Sequence, residues 1–138
     1  MSFPEFWLRD NLAEITGSKA FPVMCTDDTV QPPFSVYSRT ATDRERVTEA
    51  PSGYTGHVDA LFEVNIVTTT YMQGKELVEA LRQKITNFRG YYEDCYITWA
   101  TISDQQDAAP EEKDGESQPD YVQQLTIRIR YKENHDAI

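Results

Sequence analysis

Acidic side chains are the most abundant candidates for chemistry in this 138-residue sequence, 23 of them against 13 lysines and arginines, for a formal charge of −10. Seven, Asp104, Asp107, Glu111, Glu112, Asp114, Glu116 and Asp120, fall in residues 104–120 with Lys113 as the one base. That stretch carries −6, leaving −4 on the other 121 residues. Paired carboxylates do acid–base work when their surroundings push their pKa values apart, and acids crowded into a solvated loop lack that asymmetry. The oxygen spacing of an EF-hand is missing as well. His57 and His135 have no Cys, Asp or Glu partner at a zinc-site spacing and read as exposed histidines. Cys25 and Cys95 read as two inert thiols, one in a turn and one buried in a strand. Gly53-Tyr54-Thr55-Gly56 precedes a strand, so no helix dipole stands behind it to bind an anion, and turn formation accounts for it. No phosphate loop, nucleophile elbow or HExxH is present. These residues point away from an enzyme and call for no cofactor or metal.

Features suited to contact are clearer. Phe3, Phe6 and Trp7 cluster on one side of a predicted first helix, away from its Leu8, Leu12 and Ile15 stripe. They are either interface anchors or residues that the N-terminal turn buries within its own subunit. Two long connections, 41–56 and 104–120, join neighbouring predicted strands where ~2–5 residues usually suffice. The first holds Asp43-Arg44-Glu45-Arg46, whose alternating sign suits complementary contact or a solvated tip, and it also holds Tyr54. The second serves either a functional role or that of a flexible acidic spacer. An acidic chain has no basic surplus with which to release counterions from nucleic acid.

The elements that must position these residues follow from periodicity. A helix is expected over 4–16, opened by Pro4 and stopped by Gly17. Residues 18–33 read as a connection, followed by a strand at 34–39 with Phe34 and Val36 on one face and Tyr37 and Arg39 on the other. In 57–69, Val58, Ala60, Phe62, Val64 and Ile66 alternate with Asp59, Leu61, Glu63, Asn65 and Val67, the mark of a sheet covered on one side. Leu77, Val78, Leu81, Ile85 and Phe88 give a second helix over 73–89. Further strands are expected at 94–103 and 121–131. In the second of these Tyr121, Leu125, Ile127, Ile129 and Tyr131 face one way, and residues 132–138 are expected to fray. The length suits one domain over 1–138. The expected class is α+β: an antiparallel four-stranded sheet with two helices on one face and long loops between paired strands. No apolar run approaches the ~18 residues of a membrane span, and Met1-Ser2-Phe3-Pro4-Glu5 lacks the features of a signal peptide, so a soluble cytosolic product is expected.

The order of these segments resembles a known family. An N-terminal helix, Phe21-Pro22 near its end, Pro33-Phe34-Ser35-Val36-Tyr37, a polar Pro-Ser-Gly loop, the strand at 58–69 and Lys75-Glu76-Leu77-Val78-Glu79-Ala80-Leu81-Arg82 are similar to the tail terminator, or tail completion, proteins of long-tailed phages, the family of the lambda gene U product. The likeness spans about residues 5–103 and returns at 121–131, and the length and acidity of 104–120 depart from it. The resemblance implies a non-enzymatic homohexameric ring on the end of the tail tube. Such a ring stops polymerisation and offers a surface to head-side connector proteins, while DNA passes through without specific binding. It also implies a place in the neck of the virion, after assembly in the host cytoplasm. Self-limiting assembly of that kind needs a heterologous interface that closes. An acidic balance would discourage DNA from sticking to the ring. Two other readings stand beside it: another neck component such as a head-closure or stopper protein, and a monomeric cytosolic module binding a small ligand. In the latter, Arg39, Arg128 and Arg130 would be the first suspects, with ordinary sheet-face charge as their simpler explanation.

Overall fold

The structure, a computed structural model, describes residues 3–23, 30–46, 54–108 and 121–132. Its elements in chain order are α1 (Pro4–Thr16), β1 (Ala20–Pro22), β2 (Phe34–Arg46), β3 (Tyr54–Thr68), α2 (Tyr71–Thr86), β4 (Gly90–Tyr92), β5 (Cys95–Ala108) and β6 (Tyr121–Lys132). Six strands form one mixed sheet in the order β1-β2-β3-β6-β5-β4, curled into a half-barrel with the two helices. The expected antiparallel four-stranded sheet is therefore corrected. Two strands of three residues each were missing from it: β1, parallel to β2, and β4, antiparallel to β5. Three residues hold too little periodicity to register as a strand. Their pairing is decided by the neighbours they meet, Ser35–Tyr37 for β1 and Cys95–Ile97 for β4.

The loops also needed correction. β2 and β3 run on through most of 41–56, pairing as far as Arg46 with Tyr54, and β5 continues through 104–108. The four central strands have 13, 15, 14 and 12 residues, longer than the usual 3–10. At ~3.3 Å per residue the longest spans roughly 50 Å. The polar residues Thr40–Arg46 were read as a loop because strand propensity alone ranks them poorly. Cross-strand pairing with β3 overrides that rank.

The core lies between one face of the sheet and both helices. Val58, Ala60, Phe62, Val64 and Ile66 of β3 are fully buried, as their alternation predicts, and they meet Leu125, Ile127 and Ile129 of β6. From the helix side come Trp7, Leu8 and Leu12 of α1 with Val78, Leu81 and Ile85 of α2. Burying one such side chain contributes about 1.5–3 kcal/mol, so this shared layer dominates the stability of the sheet. In β2 the faces divide as expected, with Phe34 and Val36 on one and Tyr37 and Arg39 on the other. Ser35 and Tyr37 turn to the core, while Phe34 and Val36 lie half-buried on the face away from the helices. α1 ends at Gly17, whose φ of 70° suits a left-handed cap, and α2 starts at Thr70, whose side chain accepts a hydrogen bond from the Gln73 N–H. No helix among the described residues is long and apolar enough to cross a membrane.

Candidate interaction surface

At the start of α1, the three aromatic candidates separate. Trp7 is only 3% exposed and packs on Phe88 with ring centroids 5.3 Å apart. It is a core residue because α1 touches both the sheet and α2, which widens its buried face beyond the i, i+4, i+7 stripe. Phe3 and Phe6 remain on the surface, 48% and 38% exposed, with their rings 6.1 Å apart. The Arg9 guanidinium lies over the Phe6 ring at 5.0 Å and also bonds Asp10.

The candidates of the first long connection belong to strands. Arg44 pairs across from Val58, and Arg46 from Tyr54, which places Arg44, Glu45 and Arg46 at the end of β2 and Tyr54 at the start of β3. The side chains of Glu45, Arg46 and Tyr54 lie outside the described residues, as does all of 47–53. Of the acidic stretch, Asp104 and Asp107 sit in β5. Glu111, Glu112, Asp114, Glu116 and Asp120 lie outside the described residues, as do the expected spacer over 109–120 and the tail over 133–138.

Asp107 faces the helices and is held firmly. Its carboxylate accepts from Gln123 Nε2 at 2.7 Å, Lys75 Nζ at 3.0 Å and the Tyr71 hydroxyl at 3.0 Å. The Gln123 hydrogen bond, then those from Lys75 and Tyr71, lower its pKa below the ordinary carboxylate value. The same contact, with Tyr71, raises the pKa of Lys75. Gln123 is itself 1% exposed, a polar residue in the middle of the apolar stripe of β6. Its Oε1 accepts from Gln105 Nε2 at 3.4 Å, and Gln105 in turn accepts from Arg82 at 3.1 Å. A buried amide needs such partners, and here they tie the first turn of α2 to β5 and β6. Gly74 permits the approach: a Cβ there would sit 3.2 Å from both Gln123 Cγ and Thr68 Oγ1. Nothing in the sequence marks this network except a glutamine at a position where the alternation calls for an apolar residue.

Arg39 is also placed by tertiary contact. It shares the core side of β2 with Tyr37, its guanidinium 5.4 Å from the Phe62 ring centre and 5.6 Å from that of Tyr131. It bonds Glu5 of α1 at 2.5 Å and the Tyr131 hydroxyl at 3.0 Å, and these contacts raise its pKa against the opposing effect of burial. Arg128 and Arg130 stand on the other face of the sheet, across from Leu61 and Asp59, with Arg130 bonded to Asp59 at 3.1 Å. The three arginines therefore do not converge on one ligand. Among the described residues no group of three His, Cys, Asp or Glu could hold a metal ion.

The face away from the helices is mixed. Across it run Phe34, Val67, Val122 and Ala108 in one row, and Leu61, Arg128 and Thr101 in another. The bases Arg128, Arg130 and Lys132 are outnumbered there by the acids Asp43, Asp59, Glu63 and Asp104, so the described strand residues of this face carry a net charge of −1. Tyr91, Tyr96 and Trp99 lie beside the bases at the β4–β5 margin, Tyr91 and Tyr96 with rings 4.9 Å apart.

Strand directions separate the two hairpins. β3 pairs antiparallel with β6 from His57–Lys132 to Thr68–Tyr121, and Ala108 sits beside Val122. The β5–β6 hairpin thus ends level with Thr68, while β2–β3 ends at Arg46–Tyr54, beyond His57. The two tips leave opposite ends of the sheet, roughly 45 Å apart along β3 at ~3.3 Å per residue. Comparison with models of protein families and with curated proteins finds no match for this chain.

Proposed function

We propose that this chain is a ring subunit of the tail-terminator kind: it caps the tube of a long-tailed phage, halts its polymerisation and offers its other rim to head-side connector proteins. The placement of the hairpins carries this reading. A long sheet braced by helices on one face sends one hairpin toward each end, so copies standing side by side present two separate contact rims. The exposed Phe3 and Phe6 and the strand end at Arg44–Arg46 supply aromatic and charged groups of the sort that anchor protein contacts. The lack of a basic surplus on the sheet face away from the helices supports passage of DNA without specific binding, since phosphate contact needs one. Hydrogen bonds and ion pairs within the chain engage Asp107, Lys75, Gln123, Arg39 and Glu5, which favours a structural role over catalysis for them.

Light scattering on the purified protein, alone and mixed with assembled tail tubes, tests the proposal. A species six times 15.9 kDa, or saturable binding at tube ends, is the expected result. A strict monomer that ignores tubes at every concentration overturns it.

A further inference from the structure

Both margins of the sheet are only partly covered. β1 pairs with β2 only at Ser35–Tyr37, and no strand among the described residues pairs with the outer side of β2 beyond it. At the other margin β4 pairs with β5 only at Cys95–Ile97, and no described strand lies outside residues 98–108. Long open strand edges are templates for pairing with another chain, and soluble proteins usually block them with lysine, proline or complete cover. Residues 38–46 and 98–108 contain neither lysine nor proline, and what interrupts them is charged side chains and breaks in register at Arg39–Ala41, Arg44–Arg46 and Ile102–Asp104.

We infer that the subunits join edge to edge, residues 38–46 of β2 in one copy pairing antiparallel with residues 98–108 of β5 in the next. This rests on the ring reading and specifies its interface. Three features of the two edges support it. First, β2 and β5 run in opposite directions, because each step from β2 through β3 and β6 to β5 is antiparallel. A neighbour related by rotation about a ring axis therefore presents β5 to β2 in the antiparallel sense. Second, the covered parts lie at opposite ends: β1 sits level with Asn65–Ile66, and β4 level with His57–Val58. A stagger of about four to five residues, roughly 15 Å at ~3.3 Å per residue, lays the open stretches along each other with neither short strand in the way. Strand tilt accommodates such a stagger when sheets close into a barrel. Third, Arg39 and Asp107 are already ion-paired within the chain, with Glu5 and Lys75 respectively. The other charged residues are Asp43, Arg44, Glu45 and Arg46 on one edge, which balance, and Asp104 on the other, so no like-charge excess opposes the joint. Pairing β2 with β5 is heterologous, the type of interface that closes into a ring.

Cysteine cross-linking tests this. In a Cys25→Ser background, with Cys95 buried in the core, Ala41→Cys and Gln106→Cys variants, both on the face away from the helices, are prepared separately and treated with a short bismaleimide. Asp43→Cys with Asp104→Cys, on the same face and in the same register, serves as a second pair should either first variant fail to fold. The expected result is little product in either sample alone, covalent dimers after mixing, and a ladder ending at six in the doubly substituted chain. A hexamer by light scattering without cross-links from either pair overturns edge pairing and leaves the ring reading standing. So do strong cross-links within each single variant, which mark isologous contact. A monomer that yields no cross-links at any concentration overturns both.

Discussion

The two hairpins of this sheet are built from strands of similar length, and a network of described side chains ties the end of one of them to a helix. Near the end of β5–β6, Asp107 and Gln123 are bonded to each other and, through Lys75 and Tyr71, to the first turn of α2. The corresponding part of β2–β3 extends past the helix contacts, and residues 41–44 are all exposed. On that side the last described tie to a helix is Arg39 with Glu5. Length alone does not make a hairpin rigid. A buried amide tied to a helix through an ion-paired carboxylate does, because separating them leaves Gln123 without partners in a region closed to water, while Asp107 makes its contacts at the exposed rim.

Gly74→Ala should strike this difference hardest. The added Cβ meets Gln123 Cγ and Thr68 Oγ1 at 3.2 Å and pushes α2 from the β5–β6 end. Crowding costs about 1–3 kcal/mol and the better helix propensity of alanine returns about 1, so the expected net loss is about 1 kcal/mol in chemical denaturation, with faster hydrogen exchange in α2 and β6 before β2. Equal loosening of both hairpins would show that the brace is not local. Acid should have a smaller and equally local effect. Asp107 has a lowered pKa when folded, so its contribution is complete above the unfolded carboxylate value of about 3.9 and declines as pH falls below it toward the folded pKa. Hydrogen exchange at Tyr71–Lys75 and the end of β5 should accelerate in that range, more than in β2–β3. Asp107→Asn should remove the pH dependence, and persistence of the effect in that variant would assign it elsewhere. The smallest change is expected from Thr42→Ala, at an exposed position of β2 where the substitution removes a solvent-exposed 3.1 Å hydrogen bond from Arg39, within about 0.5 kcal/mol of the parent by thermal melting. A loss well above that would mean that something does brace β2–β3.

Legibility from sequence followed the range of the interactions concerned. The stripe of β3 and the apolar face of α2 were readable because a period of two or 3.6 is a local property, and their buried residues are those the patterns name. Phe3, Phe6 and Trp7 were found together as aromatics off the core stripe, with surface and buried roles both open. Local spacing does not separate the exposed pair from Trp7, whose burial depends on Phe88, far away in the chain. Likewise Arg39 gave no sign of Glu5, and Gln123 gave none of Asp107 beyond breaking an apolar alternation. Arg44–Arg46 and Tyr54 were found as candidates but assigned to a loop, because nothing local distinguishes a polar strand from a polar connection.

The sequence by itself determined two helices, the central strand and its covered face, and the concentration of acid after residue 103, since these depend on local spacing and composition. Only the tertiary structure decided that β1 and β4 join the sheet at its two margins, which face of β2 is buried, and that the hairpins leave opposite ends of the sheet. Those features arise from backbone hydrogen bonds and packing between residues distant in the chain, where the partner decides the outcome and no local pattern records it.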